Sequence, residues 1–152
     1  MLCKCYFDPV SFEKQNSAGY LANHMARLFA KGLQQRIAPL GIVTGQFPIL
    51  LELWEKDGTT QRELLAKLDV EQATLANTLT RMERNGLISR TRHPADARSQ
   101  QIWLTSQAKQ ARGAAHQAAK AQNALALSGL SDTERTEFLE YMRRVIDAMR
   151  MD

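Results

Sequence analysis

Two arginine-bearing stretches hold the side chains best suited to chemistry, and that chemistry is recognition. In "QATLANTLTRMER", Gln72 to Arg84, the small and polar residues Ala73, Thr74, Asn77, Thr80, Arg81 and Arg84 interleave with Leu75, Leu79 and Met82 at helical spacing. On a helix this gives an apolar stripe and, opposite it, a face of small, amide and guanidinium groups. Small residues near the helix start allow close approach to the floor of a groove. Gln72 and Asn77 can pair with base edges, and Arg81 and Arg84 suit phosphate or guanine. In "RTRHPADAR", Arg92 and Arg98 flank Pro94, with Asp96 two residues before Arg98. A carboxylate so placed can bond turn amides or hold the arginine's guanidinium. A pre-positioned arginine at a loop tip is suited to a narrow minor groove, where the potential is most negative. His93 either touches a phosphate or faces water.

Catalytic machinery is missing from the sequence. The histidines are His24, His93 and His116, with no Ser-His-Asp order, no glycine-rich phosphate loop and no H-E-x-x-H, so the expectation is no enzyme and no cofactor. Cys3, Cys5, His24 and His116 lack the clustered spacing of a zinc site. Cys3 and Cys5 are expected in a tail, dispensable to the packed helices; the alternative is a thiol-based redox sensor in which Lys4 lowers a thiol pKa. A protein-interaction module that does not bind DNA is the other alternative, and it predicts no salt-sensitive DNA binding.

Charge is distributed to match a nucleic-acid partner. The chain of 152 residues has a net charge of +4, and Arg81 to Arg98 holds five arginines against two acids. From Ser128 onward the balance reverses, with four arginines against six acids. One face should attract an anionic polymer and another should do something else. No stretch approaches the ~20 apolar residues of a membrane span, and "MLCKCYFDPV" has no export signal, so a cytoplasmic protein without a membrane partner is expected.

The elements that must position these groups are mainly helical. Tyr20, Leu21, Met25, Leu28, Phe29 and Leu33 mark a helix from Ser17 to Ala38, broken by Pro39 and Gly41. A second, nearly all-apolar helix follows Thr44 as N-cap and runs to Asp57-Gly58, with Pro48 tolerated in its first turn. "TQRE" has capping-box spacing and starts a helix over Gln61 to Leu68. Asp69-Val70 makes a tight turn, and the next helix, about Glu71 to Asn85, closes at Gly86. "LISRTR" and "SQQIWLT" read as two strands joined by "HPADAR". An alanine-rich helix from Ser106 to about Leu127 precedes a last helix opened by a Ser131–Glu134 capping box.

Two helices joined by a short turn and followed at once by a basic-tipped hairpin make a winged helix-turn-helix. The combination "LLAKLDVEQATLANTLTRMERNGLISR" and "DARSQQIWLT", the latter with Asp96, Arg98, Leu104 and Thr105 in a D-x-R-x5-L-T pattern, resembles the MarR family of transcriptional regulators over nearly the whole chain. The resemblance implies a mainly α fold with a small β-hairpin: a winged helix-turn-helix DNA-binding lobe at 43–105 and a helical dimerisation lobe from 17–42 and 106–152, within one domain of 1–152. It implies double-stranded DNA as partner, with Gln72, Ala73, Thr74, Asn77, Arg81, Arg84, Arg92, Asp96 and Arg98 at the interface. It also implies a repressor on a palindromic operator, released by a small aromatic or phenolic effector in a cleft near His24, Arg27, Phe47 and Trp54. Core packing and salt bridges are the competing use of those four. Asp69 departs from the glycine common in the family's turn.

A homodimer is also expected from the residues. Phe138, Tyr141, Met142, Val145, Ile146 and Met149 form a broad stripe on the last helix, and Ala108, Ala111, Ala115, Ala118 and Ala119 permit close helix approach. A lone chain would leave more apolar surface exposed than monomers usually do.

Overall fold

The computed structural model describes residues 12–151, and Cys3 and Cys5 lie outside them. Its elements in order are α1 (Ala18–Ile37), α2 (Phe47–Glu55), β1 (Thr59–Thr60), α3 (Gln61–Leu68), α4 (Gln72–Arg84), β2 (Ile88–His93), β3 (Asp96–Leu104), α5 (Ser106–Ala126) and α6 (Asp132–Arg150). Among the described residues no single helix is long and apolar enough to cross a membrane.

Local chemistry sets most boundaries. Thr60 and Glu63 form a reciprocal capping box at the start of α3, and Ser131 and Glu134 do the same for α6. Hydrogen bonds from the Thr60 amide and hydroxyl, with Lys56 alongside, hold the Glu63 carboxyl down at about 2. Gly86 takes a left-handed φ of 73° just past α4, while Leu87 N–H bonds the Met82 carbonyl. Asp69 ends α3 with φ 50°, a region that costs most L-residues roughly 1–2 kcal/mol and that Asp and Asn tolerate best.

Thr44 does not act as the N-cap of α2. Its hydroxyl bonds Gln34 Oε1 (2.7 Å) and the Ala30 carbonyl (3.3 Å), pinning a short 3-10 turn to α1, and α2 begins three residues later at Phe47. The helix stops at Glu55, just past its last apolar residue Trp54 and short of the expected end at Asp57-Gly58, because the following residues turn into a strand.

That strand enlarges the expected hairpin to a three-stranded antiparallel sheet in the order β1-β3-β2. Thr59 pairs with Ile102 and Thr60 with Gln101. Gly58 makes the approach possible, since a Cβ there would sit 2.5 Å from the Trp103 ring. Asp57 Oδ1 accepts from Leu104 N–H (2.8 Å) and Oδ2 pairs with Lys109, tying this turn to the far end of β3 and to α5.

Side chains from α2, α3, α4 and the sheet fill one core: Leu50, Leu53, Leu64, Leu75, Leu79, Met82, Leu87 and Ile102 are all buried. The alanine face of α5 joins it, with Ala108 and Ala115 buried and Ala111, Ala118 and Ala119 packed against it. The small residues therefore serve contacts within the chain. Helix α6, by contrast, has no buried residue.

Candidate nucleic-acid interface

Helix α4 seats Leu75, Leu79 and Met82 in the core, which turns Gln72, Ala73, Thr74, Asn77, Arg81 and Arg84 outward, and all six are exposed. Thr78 and Thr80 hydroxyls bond back to the Thr74 and Ala76 carbonyls. Neither Arg81 nor Arg84 has an ion-pair partner among the described residues, so their charge is free to face an anion. One of the segment's five arginines is already committed, so four are left without an ion pair among the described residues. Arg90 is held by Glu83 through Nε (2.9 Å) and Nη2, joining β2 to α4 and cancelling one charge of each sign.

The wing is tighter than the sequence reading. Only Pro94 and Ala95 lie between the strands, so Asp96 and Arg98 belong to β3. His93 pairs with Asp96 across a register irregularity that leaves the residues after Asp96 unpaired with β2 until Gln100 meets Arg92. Of the two uses open to Asp96, the backbone one is taken: its Oδ1 accepts from the Arg98 N–H at 3.0 Å. The Arg98 guanidinium is exposed and, like that of Arg92, makes no ion pair among the described residues. His93 Nδ1 accepts from Ala95 N–H (3.1 Å) and so closes the turn. Behind the wing, Trp103 Nε1–H donates to Thr91 Oγ1 (2.9 Å), stiffening the two strands against each other.

The four residues expected near an effector cleft are not brought together. Phe47 and Trp54 are buried and meet edge to face, and Trp54 donates to the Ala108 carbonyl while its ring meets His116 at 5.3 Å. They join α2 to α5 as core. His24 stands exposed on α1 against Tyr20, and Arg27 is exposed beyond it. Helical spacing did not reveal that Phe47 and Trp54 are buried while His24 and Arg27 stay on the surface.

His24 instead lines an apolar groove of about 940 Å³ between α1, the end of α5 and α6. Phe138, Tyr141, Met142, Val145 and Met149 form its α6 wall, with Val145 56% and Met149 67% exposed. Leu21 and Leu28 of α1 face the same groove and are half exposed. Among the described residues no cluster of His, Cys, Asp or Glu is placed to hold a metal ion.

Arg62, at the start of α3, is a further exposed cation on the helix-turn-helix without an ion pair among the described residues. Nothing local distinguished it from a solvated arginine.

Comparison with known proteins gives this architecture its relatives. Residues 44–100 match the MarR family. Transcriptional regulator HosA of Escherichia coli O111:H- is 31% identical over 103 residues, covering 68% of this chain and 76% of that protein. The PcaV transcriptional regulator from Streptomyces coelicolor, in complex with its natural ligand, has a TM-score of 0.81 at 23% identity, covering 91% of this chain and 98% of that one. A MarR family transcriptional regulator from Listeria monocytogenes complexed with 26mer DNA has a TM-score of 0.80 at 20% identity, covering 88% and 89%. At these identities the two structures share the fold.

Proposed function

This chain belongs to the MarR family of transcriptional regulators, and from that premise we propose that it represses transcription by binding a palindromic operator as a homodimer. Residues 43–105 read the DNA, and 17–42 with 106–152 pair the two copies. The observation that carries the reading is the exposed face of α4, polar and bearing arginines without an ion pair among the described residues, set beside a wing that carries two more. In this reading α4 lies in the major groove: Gln72, Thr74 and Asn77 meet base edges, Ala73 permits the close approach, and Arg81 and Arg84 meet phosphates or guanine. Arg92 and Arg98 follow the backbone into the flanking minor groove, with Asp96 fixing the main chain from which Arg98 projects.

The second copy occupies the groove between α1 and α6. Its apolar walls are continuous and exposed among the described residues, and a two-fold arrangement covers both copies' stripes at once. The Listeria complex with DNA and the PcaV complex with its natural ligand support extending DNA binding and a response to a ligand to this chain; that the ligand is a small aromatic or phenolic effector is part of the proposal. Phe47 and Trp54 are structural in this reading, so the effector site excludes them.

Selection from a random duplex library, followed by sequencing of the retained DNA, tests the proposal. Enrichment of inverted half-sites centred about one helical turn apart is expected. Retention of all duplexes without an enriched sequence, or of none at low salt, would overturn it.

A further inference from the structure

Asp69 is the one non-glycine residue with a positive φ among the described residues. Glycine would adopt that backbone without steric conflict, so what aspartate adds is a carboxylate. The carboxylate is in use. Arg150, the last residue of α6 and 81 positions away, donates from Nε to Asp69 Oδ2 at 2.7 Å, and its Nη2 approaches the same oxygen at 2.5 Å. Nη2 also reaches the Lys67 carbonyl at 3.3 Å. The guanidinium thus grips both a side chain and the main chain of the turn that joins α3 to α4.

The placement matters because of what lies at each end. The gripped Asp69 stands three residues before the start of α4, in the short turn that leads into it. The gripping residue sits at the end of α6, one residue from Met149 on the apolar stripe. A strut therefore runs from the helix whose face awaits a partner to the turn that aims the reading helix. Both partners are half exposed, at 49% and 54%, so the pair adds little to folding and its removal leaves a folded protein.

We propose that Arg150 is a positioning residue for DNA recognition: by holding Asp69 and the Lys67 carbonyl, it fixes α4 relative to α6 and so sets the half-site spacing that the dimer accepts. The proposal rests on the dimeric operator reading above. In a two-fold dimer each copy carries one such strut, and the separation of two reading helices is only as well defined as the struts that hold them.

The test uses duplexes bearing the selected half-sites at their preferred spacing and at spacings one base pair shorter and longer, together with a duplex carrying a single half-site. Wild type is expected to favour one spacing, and Arg150→Ala to flatten that preference by about threefold to tenfold, the range reached by coupling residues that touch no ligand. Single-half-site affinity and melting temperature should stay close to wild type. Asp69→Asn, which keeps a residue tolerant of the left-handed backbone and leaves the Lys67 carbonyl in reach, should flatten the preference in the same direction but less, and the double variant no further than Arg150→Ala alone. Arg150→Lys should restore part of it, because an ammonium can meet the carboxylate but lacks the fork that also meets the carbonyl. An unchanged spacing profile in Arg150→Ala, with or without a lower melting temperature, would overturn the proposal while leaving the dimer reading intact. A wild type indifferent to spacing would overturn both.

Discussion

The sheet-and-helix region around α4 and the C-terminal helix α6 each carry an apolar stripe beside charged residues, yet the two stripes reach opposite ends. Around α4, Leu64, Leu75, Leu79, Met82 and Ile102 are sealed within one chain. On α6 the equivalent stripe stays open, with Tyr141, Val145 and Met149 each more than half exposed. The first region completes its own core and can therefore present a rigid polar face. The second leaves its apolar face for another molecule. A reader of two-fold DNA needs both, since a rigid reading helix has value only if its twin is held at a fixed distance.

The largest expected effect comes from closing the open side. Replacing Val145 and Met149 together by glutamate removes two apolar side chains from the proposed interface, about 3–6 kcal/mol per protomer before any charge repulsion. Sedimentation at micromolar concentration should show wild type as a dimer and the variant as a monomer, and DNA affinity should fall with it. If both survive, the stripe is not where the copies meet.

Leu79→Ala breaks the closed side. A cavity at a fully buried position of the shared core should cost about 2–5 kcal/mol, read as a lower denaturation midpoint with the proposed dimer contact face unaltered. Asn77→Ala leaves both sides intact and alters only the polar face. It should relax preference at one base pair of each half-site by roughly 1–3 kcal/mol if the amide pairs with adenine, checked by binding to single-base operator variants.

The smallest effect lies at the α3 capping box. Thr60→Ala should cost about 1 kcal/mol of stability. It should also reduce the acid sensitivity of the fold. Because the Glu63 carboxyl is lowered to about 2, its contribution is complete above its unfolded value near 4.5 and is lost as pH falls towards 2. A urea midpoint measured across that window should decline less in the variant than in wild type.

Which parts were legible in the sequence follows from how local their causes are. The capping boxes at Thr60 and Ser131 and the glycine at 86 act within three or four residues, and the helices they bound were readable to within a residue or two. The polar face of α4 was readable for the same reason: helical period alone decides which side Leu75, Leu79 and Met82 take. β1 was not, because a two-residue strand has no period, and Thr59 is extended only because Ile102, far along the chain, pairs with it. Thr44 misled because its hydroxyl finds α1 rather than the amides ahead of it. His24, Arg27, Phe47 and Trp54 could not be sorted into surface and core without knowing how α1 crosses α2. Arg150 carried no signal at all, since its partner lies 81 residues away.

The wing offers the most direct measurement of DNA reading by this fold. Binding to the selected operator should be titrated with salt for wild type and Arg98→Ala, alongside melting temperatures for both. Because Asp96 bonds the main chain of residue 98 and not its side chain, truncating the arginine should leave the wing folded and the melting temperature close to wild type. The slope of log affinity against log salt should become shallower by about 0.9 for each phosphate charge no longer neutralised, and by twice that for a symmetric dimer. A folded Arg98→Ala protein with the wild-type slope would contradict a wing that touches DNA.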